Sequence, residues 1–271
     1  MPANSPAAGP RHHPAVPSSP RRTPDAAPDR HAPVPHPACC GERTPGPLHL
    51  VERHTVLTWV TGSRAQGLAM PDSDTDRRGV YLAPTASFWG LDKPPAHLTG
   101  PRPEEFSWEL ERFLHLALRS NPTVLECLFS PLLEYADETG RALLDLRGAF
   151  LSRAAAGTFT GYADRQQARL AADRSAGRPP RPKHALHLLR TLLTCRDLLR
   201  TGELTLDVGP AREELLAVRA GELDPAYVAA RAEDLRREVA EAALTSPLPP
   251  HPDRDRVEAF LRAVRRRSAG A

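Results

Sequence analysis

The sequence predicts an α+β fold in which a small mixed sheet is followed by an all-helical part. Strand-like segments fall within residues 48–135, and segments rich in Leu, Ala and Arg with helical spacing fill the chain after about residue 138. Proline and glycine separate these helical segments from one another. We therefore divide the chain into a Pro-rich tail (1–47), an α+β core (48–135) and a helical domain (136–271).

The N-terminal tail differs from the rest of the chain in composition. Its 47 residues are rich in Pro, Ala, Arg and His and show no hydrophobic period. Such a segment cannot bury enough apolar surface to offset its ordering entropy, so we expect disorder there. The whole chain of 271 residues is 40% apolar, which is enough for a sizeable core elsewhere. A formal net charge of +3 is too even to indicate a nucleic-acid partner by itself.

Cysteine usage and hydropathy argue against several classes of protein. Cys39, Cys40, Cys127 and Cys195 form no CxxC pair, and no His-x-x-x-His pair accompanies them. That pattern disfavours both a zinc site and a disulfide framework. No stretch approaches ~18 consecutive apolar residues, and the N-terminus lacks an apolar signal region. We therefore expect no membrane partner and a cytoplasmic location.

Local sequence defines each predicted element. The first strand is β-branched and apolar, and the helices repeat apolar residues at 3.6-residue spacing. The predicted elements, in chain order, are a strand at 54–60, a short helix at 63–68, strands at 74–82 and 105–109, a helix from Leu110, a helix from Val124 with Thr123 as N-cap, and helices at 138–156, 159–175, 184–201, 211–219, 225–244 and 253–267.

The segment after the first strand has the character of an anion site. A strand that ends at Gly62-Ser63 and turns into a helix offers free backbone N–H groups and the positive end of a helix dipole. Phosphate binds readily at such a place. Gly62 lets the backbone approach an anion without an intervening Cβ, and the Ser63 hydroxyl is a donor for a terminal phosphate oxygen. No Gly-Lys-Ser/Thr follows Gly62, so this is not a P-loop.

Two acidic residues follow about ten positions later. Asp74 and Asp76 lie at i and i+2 on the predicted second strand, so both carboxylates point to one face. Two carboxylates at such a short distance repel each other, and a bound divalent cation relieves this repulsion. Hard oxygen ligands suit Mg²⁺ (or Mn²⁺) that also touches substrate phosphates. A third carboxylate usually completes a two-metal arrangement.

A longer string of residues resembles a known family. Gly-Ser-Arg-Ala-Gln-Gly-Leu at 62–68 and Ser-Asp-Thr-Asp-Arg-Arg-Gly-Val at 73–80 resemble nucleotidyltransferases of the DNA polymerase beta superfamily. Within it, they look most like the branch associated with bacterial RNA-repair ligase and kinase-phosphatase systems. A second block at 107–131 and a weaker third one at 183–204 support the resemblance, which covers about residues 50–205.

The resemblance implies an activity with several possible acceptors. It implies metal-dependent transfer of a nucleoside monophosphate from an NTP such as ATP to an acceptor hydroxyl, with release of pyrophosphate. The acceptor is an RNA end, a protein hydroxyl (as in antitoxins that modify a partner toxin) or a small molecule. The alternative is a non-catalytic nucleotide sensor or a toxin–antitoxin-type interaction module.

The resemblance also assigns acidic residues to the catalytic site. Asp74 and Asp76 would bind metal. Glu109 is the preferred third carboxylate, because it lies at the strand-to-helix junction where the family tends to place an acid. Glu105, on the same face of that strand, is the rival.

The basic and small residues of the site would hold the nucleotide. By the resemblance, Gly62 and Ser63 hold the phosphates, and Arg64 either reaches a phosphate or is an exposed first-turn arginine. Lys183 and Arg190 lie at i and i+7 on one face of a predicted helix. That face either grips the triphosphate or is a solvated basic surface.

Overall fold

A mixed sheet and a set of helices make up the computed structural model, which describes residues 47–102, 104–179 and 181–270. All but the last residue of the predicted tail, 1–47, fall outside these ranges. The described strands lie in the spatial order β3-β4-β2-β1-β5, with β2 and β4 parallel and the other neighbours antiparallel. The predicted α+β class is therefore confirmed. The strands are β1 Thr55–Val60, β2 Arg77–Tyr81, β3 His97–Thr99, β4 Glu105–Glu109 and β5 Leu133–Ala136.

Helices dominate the second half of the chain, as apolar spacing predicted. Within the described ranges, no helix is both long enough and apolar enough to cross a membrane. The predicted boundary between residues 135 and 136 stays a prediction. The helices are α1 His49–His54, α2 Leu110–Leu118, α3 Pro122–Leu128, α4 Glu138–Asp145, α5 Ala155–Ser175, α6 Pro182–Thr201, α7 Arg212–Ala220, α8 Pro225–Thr245 and α9 Arg254–Ala269.

The start of α3 differs from the prediction. Asn121, not Thr123, is the N-cap, and its side chain accepts from the Val124 N–H at 3.2 Å. Pro122 then occupies the first helical turn, where its missing N–H costs no hydrogen bond and its fixed φ suits the helix. The helix therefore begins two residues before the predicted Val124.

Two predicted features beside the acidic pair are also corrected. Residues 62–67 form consecutive turns rather than a short helix, although Gln66 N donates to Gly62 O at 3.2 Å as in a helical turn. The second strand begins at Arg77, so Asp74 and Asp76 lie in the loop before it. The ladder begins there because Arg77 N donates to Glu104 O, at the start of the parallel pairing with β4.

The edge strands β3 and β5 were not predicted. Each pairs with one neighbour through backbone hydrogen bonds, and β5 exposes much of Leu133 and Tyr135. An edge strand without a buried face shows little apolar alternation, which removes the main sequence signal.

The core joins the sheet to the helices. Trp59 of β1 stacks on Phe113 of α2 with ring centroids 5.8 Å apart, and Trp108 of β4 lies 5.7 Å from the same ring. Helix α6 contributes to two apolar clusters. Its Leu198 packs with the sheet residues, and its Leu189 packs in a second cluster with α5 and α8. That helix therefore lies against both halves of the fold.

Candidate active site

The end of β1 and the loop before β2 are held together by backbone contacts. Thr61 N donates to Asp76 O at 2.9 Å, and the Thr61 hydroxyl donates to the same oxygen at 3.3 Å. Gly62 has φ +69°, and a Cβ built on it would lie 2.5 Å from Asp76 Oδ2. Only glycine fits here, since a side chain would collide with the carboxylate and strain the backbone. The structure thus brings Gly62 and Asp76 into direct contact.

Residues 62–68 form a turn, the Gly62 turn, in which several backbone N–H donors have no acceptor among the described residues. In the described part of the chain, no protein group accepts from the N–H of Ser63, Arg64 or Ala65, and the Ser63 hydroxyl has no partner. The far end of the turn is closed, because Leu68 N donates to Ser63 O at 2.9 Å. Successive unpaired N–H groups form a concavity that attracts anions. This geometry suits phosphate oxygens beside the Asp76 carboxylate.

The Arg64 side chain is hydrogen-bonded to the loop that carries Asp74 and Asp76. Its Nη2 donates to Ser73 O at 2.7 Å, and its Nε donates to Asp74 O at 3.2 Å. The side chain is exposed, so its remaining N–H groups face solvent. Arg64 therefore fixes the position of Asp74, and its role as a nucleotide ligand stays a prediction.

The two aspartates reach solvent and are only partly compensated. Asp74 is exposed and its carboxylate has no partner among the described residues, while the Asp76 side chain is 36% exposed. Arg78 Nη2 lies 3.3 Å from Asp76 Oδ1, and Arg78 Nη1 donates to Glu104 O at 3.2 Å. Over the described ranges, no three His, Cys, Asp or Glu side chains converge closely enough to hold a metal ion. The two aspartates nevertheless present accessible carboxylate oxygens, which are hard donors of the type that Mg²⁺ binds.

Glu109 does not lie beside the aspartates. Because β2 and β4 run parallel with Arg77 opposite Glu105, Glu109 stands opposite Tyr81, five residues beyond Asp76. At ~3.3 Å per residue, that separation is about 17 Å. The predicted third carboxylate is therefore in the wrong place along the strand to share a cation with Asp76.

The surroundings of Glu109 explain what it does instead. Its side chain is 3% exposed and accepts from Glu111 N at 2.7 Å, which caps α2. Arg265 Nη2 of α9 lies 2.8 Å from its other oxygen. Burial raises the pKa of the Glu109 carboxyl above its ordinary value, and the charge of Arg265 offsets part of that rise. Glu109 thus joins α2 and α9 to the sheet.

The strand register indicates a different third acid. Glu105 pairs with Arg77, so alternation directs it to the face opposite Arg78, where its carboxylate lies 3.7 Å from Arg102. Glu104 directly precedes β4, and its backbone carbonyl accepts from Arg77 N at 3.0 Å and from Arg78 Nη1 at 3.2 Å, so it lies beside the start of β2. Glu104 is exposed. Sequence reasoning missed it, because the signal is the parallel register and not the local pattern.

Arg190 and Lys183 occupy different surroundings on α6. Arg190 is 5% exposed and donates from Nη1 to Glu126 Oε1 at 2.7 Å, so it is engaged inside the protein. Lys183 is exposed, and no partner for it exists in the described chain. His187 lies between these two residues in the sequence. Its burial and the charge of Arg190 lower its pKa to about 4, which keeps the ring neutral at pH 7. The structure does not bring Arg190 to the Gly62 turn directly.

Comparison with known proteins supports the resemblance seen in the sequence. Residues 49–263 match the model of a family described as the RNA repair pathway DNA polymerase beta family. The uncharacterized protein YcgL of Bacillus subtilis (strain 168) is 29% identical over 163 residues, which cover 58% of this chain and 61% of that protein. The match thus spans less than two thirds of that relative. No solved structure matches.

Proposed function

The chain belongs to the RNA repair pathway DNA polymerase beta family, and we propose that it transfers a nucleoside monophosphate from an NTP to an acceptor hydroxyl. The observation that carries this proposal is the contact between Gly62 and the Asp76 carboxylate beside unpaired N–H groups. Phosphate bound in this turn would lie beside the Asp76 carboxylate, and a cation that contacts both would relieve the repulsion between them. A metal–triphosphate complex supplies that cation.

Each part of the site has a role in the proposed reaction. The N–H groups of Ser63 to Ala65 and the Ser63 hydroxyl would bind terminal phosphate oxygens. Asp74 and Asp76 would hold Mg²⁺ or Mn²⁺ together with phosphate oxygens of the NTP. We propose Glu104 as a further acid of the bound state, since in the described part of the chain the three carboxylates do not already converge. When bound, the ion supplies charge neutralisation on the leaving pyrophosphate and lowers the pKa of the acceptor hydroxyl. The chain itself contributes mainly the orientation of the reacting groups.

Lys183 remains a candidate for the triphosphate. It is exposed at the start of α6, where its ammonium has no protein partner in the residues described. Arg190, by contrast, contributes through its contact with Glu126. We therefore assign a phosphate contact to Lys183 and withdraw that role from Arg190.

The acceptor that the family supports best is a hydroxyl at an RNA end. The test incubates the purified protein with Mg²⁺ or Mn²⁺, each of the four α-labelled NTPs and short RNA oligonucleotides. Protein and aminoglycoside acceptors form separate arms. We expect labelled RNA with one or more NTPs. NTP binding without transfer to any acceptor would favour the nucleotide sensor instead.

A paired variant assigns the reaction to this site. Asp74→Asn with Asp76→Asn should abolish transfer while the melting temperature stays close to the wild-type value, because neither side chain is buried. Asp92→Asn, which removes an exposed carboxylate elsewhere, is the matched control and should retain activity. Full activity in the double variant would contradict the assignment.

A further inference from the structure

A buried polar network lies behind the Gly62 turn. Glu126 of α3 accepts two hydrogen bonds, from Arg190 Nη1 of α6 at 2.7 Å and from Gln66 Nε2 of the turn at 3.2 Å. All three residues are at most 8% exposed. The carboxylate therefore connects the turn that would hold phosphate to a helix of the second half of the fold.

We propose that Glu126 and Arg190 are positioning residues that set the Gly62 turn through Gln66, a role that rests on the proposed nucleotidyl transfer. A buried ion pair is a poor device for stability, because the cost of removing two charges from water offsets most of their attraction. An apolar pair of similar volume would pack as well. The pair instead defines one direction and one distance for the Gln66 side chain.

The geometry gives the pair a single route to the turn. Arg190 Nε is buried and has no acceptor in the described part of the chain, so Glu126 is the acceptor that orients this guanidinium. Glu126 in turn has one oxygen for Arg190 and one for Gln66. Movement of the arginine is therefore passed to the turn through one carboxylate.

The backbone carbonyls of the turn are held by residues that follow α6. Gln66 O accepts from Val208 N at 3.2 Å, Gly67 O accepts from Arg212 Nε at 2.9 Å, and Leu68 O accepts from Arg219 Nη1 at 3.0 Å. These contacts hold the carbonyl end of the turn and leave its N–H end open. A shift at Gln66 therefore appears at the N–H groups of residues 63–65. A displacement of ~1 Å in a catalytic site costs about 100-fold in rate.

The test exchanges the polarity of one hydrogen bond. Gln66→Glu sets two carboxylates against each other and should lower kcat/KM for the NTP about 10- to 100-fold, in line with the cost of a displacement of up to ~1 Å at the turn. Adding Glu126→Gln restores a donor toward the carboxylate introduced at position 66 and keeps an acceptor for Arg190. The double variant should therefore recover kcat/KM to within about threefold of wild type. Recovery of the melting temperature without recovery of the kinetics would overturn the proposal.

A second variant and a control separate positioning from stability. Gln66→Met removes the link but leaves the Glu126–Arg190 pair intact, and should raise hydrogen–deuterium exchange at the bonded N–H groups of residues 66 and 68 before any NTP is added. Asp173→Asn breaks the ion pair with Arg178 at 3.1 Å, and the Asp173 side chain is about as buried as that of Glu126. This control should lower the melting temperature only. Unchanged exchange in Gln66→Met would refute positioning even if wild-type protein transferred nothing, whereas absent transfer alone would refute the proposed function.

Discussion

The two ends of the parallel β2–β4 pair carry acidic side chains in opposite surroundings. At the end where the pair begins, Asp74 is exposed and Asp76 half-buried, and in the described chain Arg78 lies within ion-pair distance of Asp76 alone. At the other end, Glu109 is buried, caps α2 and forms an ion pair with Arg265.

The two ends use their carboxylates for different purposes, one for stability and one for a ligand. A buried carboxylate must be compensated by the protein itself, because leaving it unpaired costs several kcal/mol. A solvent-accessible, partly compensated pair leaves room for a ligand to complete the charge balance. The end with Asp74 and Asp76, the open end, is therefore where the proposed cation and triphosphate would bind. At the end with Glu109, the closed end, two helices are joined to the sheet.

The largest expected effect lies at the closed end. Arg265→Met leaves the Glu109 carboxylate buried without its cation and should lower the free energy of unfolding by about 3 kcal/mol at pH 7. Urea unfolding measures this loss. Adding Glu109→Gln removes the unpaired charge and should restore most of the stability. Transfer activity of the folded Arg265→Met protein should stay near wild type.

The pH dependence of that variant has a definite sign. Burial raises the pKa of Glu109, and the loss of Arg265 raises it further. A carboxyl whose folded pKa is raised favours folding most when protonated, so its contribution is present below the unfolded pKa and is lost as pH rises through the folded pKa. The deficit of Arg265→Met should therefore shrink as pH falls toward 4.5. An equal deficit at pH 4.5 and pH 7.5 would mean that the loss has another origin.

The next effect tests which acid belongs to the open end. Glu104→Gln should lower kcat about 100-fold, equivalent to about 2.7 kcal/mol, with little change in stability because the residue is exposed. Glu105→Gln and Glu109→Gln should leave kcat of the folded protein close to wild type. Loss of turnover in Glu109→Gln, with normal turnover in Glu104→Gln, would contradict the different roles assigned to the two ends.

Much of the open end is local in sequence and was predicted. The apolar run that forms β1, the glycine that follows and the two aspartates lie within about 20 residues, so their order limits their geometry. Most helices from α4 onward were also predicted, because apolar spacing and Pro/Gly breaks define them. The predicted helix 138–156 was wrong in its extent, since α4 ends at Asp145 and α5 begins at Ala155. The α+β class and the family are both confirmed.

The third acid and the fate of Arg190 depend on pairing between distant residues. Glu104 directly precedes β4 and Glu109 ends it. Which of the two lies near Asp76 is set by the parallel pairing of β2 and β4, whose connection is about 20 residues long. Arg190 and Lys183 share a helical face, yet Arg190 is paired with Glu126, 64 residues earlier in the chain. Helical spacing gives the face of each residue but not its partner.

The smallest effect concerns the cation at the open end. Arg78 lies 3.3 Å from Asp76 in a partly exposed pair, an interaction worth at most about 1 kcal/mol. Mn²⁺ bound at Asp76 must compete with that guanidinium, so Arg78→Gln should tighten Mn²⁺ binding about threefold to fivefold. An EPR titration of free Mn²⁺ without NTP measures the change, and Arg78→Lys is the control that keeps the charge. Weaker Mn²⁺ binding in Arg78→Gln would show that Arg78 supports the metal site through its contact with Glu104 O, rather than competing with the ion.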